Sequence, residues 1–274
     1  MYPLGIENYT CCALPPPGQY SLWMGQHYSA DELRDGNGDK LDVPGFKVTA
    51  NAIVPRFVWV TDKKIAGASF GLNVLLPIVD LEVENAPTPA GLKSQSKTGI
   101  GDITFGPVLG WHHSEKLHTV LALDIYAPTG DYDVNDVANI GRNHWAVQPV
   151  YGLSYIQPSG LNAGVKFMYT YNMENADTDY TDGEEITIDF AAGWALGNGL
   201  TVGLGGYYYN QISDDEPANA DAMNFGRGKA LALGPSLRYM SAKGWFVSAK
   251  YQNELNVENR AAGSAFMFKA VFPL

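Results

Sequence analysis

The sequence predicts an all-β fold, a twelve-stranded antiparallel transmembrane barrel of the outer-membrane type. Long segments alternate between apolar and polar residues, and each exceeds the about 10 residues that a tilted strand needs to cross the bilayer core. Short turns and long polar loops connect these segments in alternation, which is the pattern of outer-membrane barrels. No apolar run reaches the ~18 residues of a transmembrane helix, so a helical membrane protein is excluded.

Twelve segments show a period of two residues, and we take each as one strand. Around 184–197, for example, Ile186, Ile188 and Phe190 share one face, while Glu185 lies on the other. A soluble β-sandwich also alternates in this way, but its strands are usually shorter. The predicted strands are 18–30, 46–61, 65–83, 99–113, 117–128, 143–157, 160–174, 184–197, 200–212, 228–241, 245–257 and 264–274.

The connections between these strands alternate in length. The short ones contain Asn, Asp, Ser or Gly residues that favour turns, at 61–64, 114–116, 158–160, 198–199 and 241–244. The long ones are polar, at 31–45, 84–98, 129–142, 175–183 and 213–227, with a shorter connection at 258–263. An even number of strands places both termini at the end with the short turns, which is the periplasmic end of an outer-membrane barrel.

Two regions follow from this arrangement: an N-terminal segment, 1–17, and the barrel itself, 18–274. Pro15, Pro16 and Pro17 make the end of the segment stiff and extended. A twelve-stranded barrel is wider than the eight-stranded kind that side chains alone can fill. The segment is therefore expected either to enter the lumen as a plug, with the proline run as a constriction, or to remain a loose periplasmic tail.

Charge is low in the strands and concentrated in the loops. Charged residues are only 17% of the chain, below the roughly 25% of an average soluble domain. The five long loops, together with the adjoining Glu184, account for the formal net charge of -11. This acidic balance argues against nucleic acid as a partner, because both would be negative. Solvated loop tips are the simplest interpretation, and binding of divalent cations by the acidic rim is the alternative.

The polar face of the strands is expected to line the lumen. It carries five bases and five acids, which should pair with one another or lie in water, because isolated buried charges are unstable. It also carries many small and apolar residues, unlike the mostly polar interior of a diffusion porin. The predicted pore-lining charges are Arg56, Asp102, Asp124, Lys166, Asp189, Arg238, Lys250, Glu254 and Lys269.

No catalytic, cofactor or metal site is predicted. A serine hydrolase needs a nucleophile with a base in reach, and no Gly-x-Ser-x-Gly stretch is present. His112 and His113 point in opposite directions along a strand, so they do not share a face. The adjacent Cys11 and Cys12 indicate two free thiols, with a strained disulfide between neighbours as the alternative.

Prolines within the strands predict local breaks in pairing. Pro77, Pro107 and Pro128 have no N–H group, so each should mark a bulge or a strand end. Such a break is also a hypothetical route by which a solute leaves the lumen sideways into the lipid.

Several short motifs follow one another in a characteristic order along the chain. They are Glu7-Asn8-Tyr9, Leu14-Pro15-Pro16-Pro17-Gly18-Gln19-Tyr20, Pro55-Arg56-Phe57, Gly67-Ala68, Leu75-Leu76-Pro77, Gly99-Ile100-Gly101-Asp102-Ile103 and Ala127-Pro128-Thr129-Gly130-Asp131-Tyr132. In this order they resemble a proteobacterial outer-membrane channel family known as "meta-pathway of phenol degradation"-like. The resemblance covers essentially the full chain. It implies a monomeric twelve-stranded barrel that takes up small hydrophobic or aromatic molecules.

The sequence thus predicts a channel in the outer membrane of a Gram-negative bacterium, surrounded by lipid and lipopolysaccharide. It would admit small hydrophobic or aromatic solutes passively, without a cofactor and without enzymatic activity. The alternatives are a general diffusion porin for small ions and polar solutes, a barrel enzyme, and a structural or adhesive barrel.

Overall fold

A computed structural model describes residues 3–216 and 226–274. Within them the chain forms fourteen β-strands and no helix long and apolar enough to cross a membrane. The strands are β1 (Gly18–Leu33), β2 (Lys47–Ile65), β3 (Ala68–Leu75), β4 (Ile78–Thr88), β5 (Gly91–Ile100), β6 (Ile103–His112), β7 (Leu117–Ala127), β8 (Ala146–Tyr155), β9 (Ser159–Asn172), β10 (Glu185–Leu196), β11 (Leu200–Gln211), β12 (Lys229–Met240), β13 (Phe246–Glu258) and β14 (Ala261–Pro273).

The fourteen strands make a closed barrel of twelve crossings. Strand β1 pairs with both β14 and β2, which closes the sheet. β2 pairs with β3 along one half and with β4 along the other, so β3 and β4 are two parts of one crossing. β5 and β6 likewise form one crossing beside them. The predicted all-β, twelve-stranded antiparallel barrel is confirmed.

Both divided crossings are interrupted at the same level of the wall. Pro77 separates β3 from β4, and the amide of Gly101 donates to its carbonyl at 2.8 Å. Leu75 pairs with Thr104 and Ile78 with Ile100, so two residues on one crossing face three on the other, which is a β-bulge.

The other two prolines behave as predicted. Pro107 lies in a gap of the β6–β7 ladder, between the pairs Phe105–Ile125 and Val108–Ala122. Pro128 directly follows the last residue of β7. A proline has no amide hydrogen to donate, so pairing is lost on the β7 side of Pro107, while on the other side Pro107 stays in register with Leu72 of β3.

Two predicted connections were wrong. The segment 84–98 is not a long loop, because β4 and β5 form a hairpin with only 89–90 between them. Both faces of β5 carry mostly polar residues, and none of its residues is buried. Its sequence therefore lacks the apolar–polar alternation by which a strand is recognised. The turn predicted at 61–64 lies instead at Ala66 and Gly67, whose φ angles are 50° and 79°. Of the predicted loop 213–227, residues 217–225 lie outside the described residues.

The barrel has an apolar outer face and a mixed inner face. Large outward side chains such as Trp59, Trp194 and Phe266 are more than half exposed, as expected for a surface that meets lipid. Two clusters of buried apolar side chains lie inside and include the N-terminal segment. Ile6 packs with Met24, Val54, Leu75, Ala265 and Met267, and Cys12 and Leu14 pack with Val58, Val60, Val108 and Val120.

Candidate functional site in the barrel lumen

The lumen has two halves that differ in their contents. We call the half next to the short turns the lower half, and the half next to the long connections the upper half. Residues 3–14 of the N-terminal segment occupy the lower half, where Tyr9 and Cys12 are fully buried. Pro16 and Pro17 lie exposed at the end of this segment, next to the start of β1. The deepest part of the segment is therefore 5–12, and the constricting role of the proline run stays a prediction.

Two opposite charges on the wall hold the backbone of the segment. The carboxylate of Asp189 accepts hydrogen bonds from the amides of Gly5 and Glu7 at 2.8 and 3.2 Å. The ammonium of Lys250 donates to the carbonyls of the same two residues at 2.5 Å each. Because all four bonds join wall side chains to main-chain amides and carbonyls, the clamp fixes the position of the backbone of the segment.

Glu7 is the charged centre of the lower half. Its carboxylate, which is 3% exposed, contacts Arg56 at 3.8 Å, Lys166 at 3.7 Å and Lys269 at hydrogen-bond distance. Burial alone would raise the pKa of Glu7, but Lys269, Lys166 and Arg56 together lower it to about 2. Three of the predicted pore-lining bases thus meet an acid of the N-terminal segment, a partner that the sequence analysis did not identify.

Neutral contacts complete the docking of the segment. Tyr9 donates its hydroxyl to the carbonyl of Ser236 at 2.9 Å, and the Cys12 amide donates to Ser154 at 3.1 Å. The wall leaves space for the segment by using glycine. A β-carbon at Gly152 would lie 2.2 Å from the sulfur of Cys12, far inside contact distance. The barrel and the segment therefore have complementary shapes as well as complementary charges.

The nine predicted pore-lining side chains all face the lumen and are largely buried, and their role in shaping a pore stays a prediction. They do not form one ladder. Arg56, Lys166, Asp189, Lys250 and Lys269 contact the segment as described, and Arg238 lies 5.7 Å from the ring of Tyr9.

Asp102 and Glu254, two of the remaining three predicted acids, line the upper half, whereas Asp124 lines a small cavity beside Pro3, Arg56 and Lys166. Asp102 accepts the amides of Gly130 and Arg142 at 3.0 and 2.8 Å, which ties the connection 128–145 to the wall. Asp124 contacts the amide of Asn73 at 3.5 Å. Glu254 accepts hydrogen bonds from Tyr28, Tyr207 and the amide of Gly263.

The charged residues of the lumen that were missed from the sequence include Glu7, Arg142 and Arg260. They lie in the N-terminal segment and in two connections, where the period-two rule does not apply. Arg142 reaches inward to Asn172 at 3.2 Å and Glu185 at 3.5 Å. Burial opposes its charged form, but Glu185 and Asp182 raise the pKa of Arg142 above its ordinary value. The only feature of the sequence that could have indicated this role is that Arg142 is a single arginine in an acidic connection.

The upper half contains two adjacent cavities above Leu4. The first, of about 450 Å³, has many polar side chains in its lining, including Tyr126, His144, Tyr180, Glu185, Tyr209 and Asp215. The second, of about 310 Å³, lies next to the break in the wall, and we call it the side cavity. The two cavities share Leu4, Tyr28, Asp102, Arg142 and Arg260 in their linings.

The side cavity is apolar on one side and polar on the other. Its apolar wall comes from β2, β4 and the inward-folded connection, with Ala50, Ala52, Val54, Val79, Leu81 and Ile140. Its polar wall holds Gln26, Gln252, Glu254 and Arg260. A pocket with a broad apolar surface and a few directed polar groups is the usual form of a site for a small organic molecule.

Comparison with known proteins agrees with this architecture. The family model described as "Putative MetA-pathway of phenol degradation" matches residues 30–270. The chain belongs to this family. Among solved structures, an outer-membrane channel from Pseudomonas putida F1 is similar with a TM-score of 0.82 and 17% identity, covering 96% of this chain and 97% of that chain. The chain therefore shares the fold of an outer-membrane channel.

A second solved structure is a FadL homologue from Pseudomonas aeruginosa. It has a TM-score of 0.49 and 11% identity, covering 97% of this chain and 92% of that chain. That score is too low to carry an argument about function. None of the curated proteins matches the sequence.

The histidines of this family member have structural partners. His144 contacts Asp182 at 2.9 Å and the carbonyl of Trp145 at 3.1 Å. His112 and His118, on neighbouring strands, face each other with their Nδ1 atoms 2.7 Å apart. Among residues 3–216 and 226–274, no group of three His, Cys, Asp or Glu side chains has the arrangement of a metal site. Cys11 and Cys12 are free thiols.

Proposed function

We propose that the protein is an outer-membrane channel for the passive uptake of small hydrophobic or aromatic molecules. The side cavity is the observation that carries this proposal. It offers a solute an apolar wall, lies in the half of the lumen that the N-terminal segment leaves open, and has a volume of about 310 Å³. Membership of a family described by phenol degradation agrees with aromatic solutes.

The proposal places the barrel in the outer membrane of a Gram-negative bacterium, as a monomer in contact with lipid and lipopolysaccharide. The apolar outer face supports this placement, since exposed residues such as Trp59 and Trp194 would be unfavourable in water. The upper half then faces outside the cell, so that solutes meet the two cavities first. No energy-coupling element is needed, because uptake follows the concentration gradient.

We further propose that the N-terminal segment acts as a plug. Its clamp by Asp189 and Lys250 and its buried Glu7 leave little room for a solvated pore through the lower half. A solute that enters the side cavity has two ways onward: past a displaced segment, or sideways at the β-bulge near Pro77. Regular pairing is lost at this bulge, and hydrogen bonds such as that from Gly101 to Pro77 would have to open for the sideways route, which stays part of the proposal.

Uptake by cells that lack their own porins tests the function. Cells expressing the chain should take up labelled toluene faster than cells with an empty vector, whereas uptake of a labelled disaccharide should be unchanged. Equal gains for toluene and the disaccharide would indicate a general diffusion porin. No gain for either solute, from a barrel shown to be folded by its heat-modifiable migration, would indicate a structural role.

A matched pair of variants links the uptake to the side cavity. Ala52 lines this cavity, whereas Ile53, the next residue of β2, is 55% exposed on the outer face. Ala52→Trp should fill the cavity and remove most of the toluene uptake, and Ile53→Trp should leave it within twofold of the parent. If both variants keep full uptake, the solute does not use this cavity.

A further inference from the structure

We infer that Arg260 is the specificity-determining residue of the side cavity, where it donates hydrogen bonds to an oxygen atom of a neutral aromatic solute. This inference rests on the proposed function and narrows its substrate class. Plain hydrocarbons would enter the same cavity but bind less tightly.

Arg260 lines both cavities and has N–H donors that are not hydrogen-bonded to the described part of the protein. It lies in the short connection between β13 and β14, at the upper end of the barrel. Its guanidinium lies 4.7 Å from the centre of the Tyr209 ring. Its nearest carboxylate, Glu254, is 4.0 Å away, beyond hydrogen-bond distance. In the described part of the chain, the guanidinium makes no hydrogen bond, although it carries five N–H donors.

The neighbouring polar groups are already used. Glu254 accepts from the hydroxyls of Tyr28 and Tyr207 and from the amide of Gly263, so its oxygens are occupied. Arg142, the other arginine that lines both cavities, donates to Asn172 and contacts Glu185. Arg260 therefore differs from Arg142: it lines the same cavities, but its guanidinium makes no hydrogen bond to the described part of the chain, and its contacts with Tyr209 and Glu254 leave its N–H donors open to a ligand.

The charge of the lining points to a neutral ligand. The acids of the side cavity are Asp102 and Glu254, and its bases are Arg142 and Arg260, so its formal charge is zero. An anion gains no net attraction there and loses its hydration, whereas a neutral oxygen needs only a donor. The apolar wall with Val79 and Leu81 is suited to the ring of the same molecule. The ligand class is thus a neutral arene that carries an oxygen acceptor, such as a phenol or an aryl ketone.

Binding to the purified barrel in lipid nanodiscs tests the inference by titration calorimetry with phenol, toluene and benzoate. Arg260→Met removes the donors, Arg260→Lys keeps a charge with different geometry, and Arg34→Met is the control. Arg34 contacts Glu32 and Gly38 and lines neither cavity. In the parent, phenol should bind about 10-fold more tightly than toluene, because a hydrogen bond from a charged donor is worth about that factor.

Arg260→Met should weaken phenol binding about 10-fold and leave toluene within twofold, while Arg34→Met changes neither. Arg260→Lys should lower the affinity for phenol by an intermediate factor. It replaces Arg260→Met as the test variant if the Met variant does not fold. Equal effects on phenol and toluene, or none on phenol, would overturn the role of Arg260. Benzoate binding more tightly than phenol would overturn the neutral class. Failure of the parent to bind any of the three would instead contradict the proposed function.

Discussion

The lower and upper halves of the lumen are built on the same strands, yet one is filled and the other is open. In the lower half, Glu7 gathers three wall bases, and the Asp189–Lys250 pair holds the backbone of the segment. In the upper half, carboxylates are occupied by tyrosines and main-chain amides, and the donors of Arg260 stay unused. Inward charges therefore do not define a pore by themselves. What matters is whether another part of the same chain satisfies them.

Removal of the N-terminal segment would leave the lower half of the lumen as open as the upper half, and it should have the largest effect on conductance. Deletion of 1–16 should raise single-channel conductance in planar bilayers severalfold, because the lower half would then contain water and unpaired charges. A folded, heat-modifiable deletion variant with unchanged conductance would show that the segment does not limit the pore.

Neutralising Glu7 should loosen the segment without removing it. Breaking a buried ion pair by removing one partner typically destabilises by about 3 to 5 kcal/mol. Glu7→Gln should therefore expose the fully buried Cys12, and maleimide labelling of the thiols should become at least about tenfold faster. Glu115→Gln, in an exposed turn, is the matched control and should label at the parent rate. Equal labelling rates in Glu7→Gln and in the parent would show that Glu7 does not hold the segment in the lumen.

Acid should act on the same contact, with a smaller and reversible effect. The pKa of Glu7 is lowered to about 2, so its contribution to docking is complete above the ordinary pKa of a glutamate, about 4.3, and is lost as the pH falls towards 2. Conductance should stay constant from pH 7 to 5 and rise below about pH 4. The 1–16 deletion should lack this rise, and a rise centred near pH 6 would point to a different group.

The barrel itself was predictable because burial imposes a period of two on strands such as β10, with Ile186, Ile188 and Phe190 on its outer side. The outer part of the β4–β5 hairpin, at 84–98, escaped prediction because both faces of β5 carry mostly polar residues. The direction of the wall charges followed from the same period. Their partners did not, because Glu7, Arg142 and Arg260 reach them through tertiary contacts that no local pattern encodes.

If the upper half receives the solute while the segment keeps the lower half closed, a bound aromatic solute must lie above Leu4. A crystal structure of the full chain soaked with 4-bromophenol tests this most directly, since bromine gives an anomalous signal. A bromine peak is expected in the side cavity, above Leu4 and between the apolar wall and Arg260, with Glu7 still bound to its three bases. A peak in the lower half with the segment displaced, or no peak in the lumen at a saturating concentration, would contradict it.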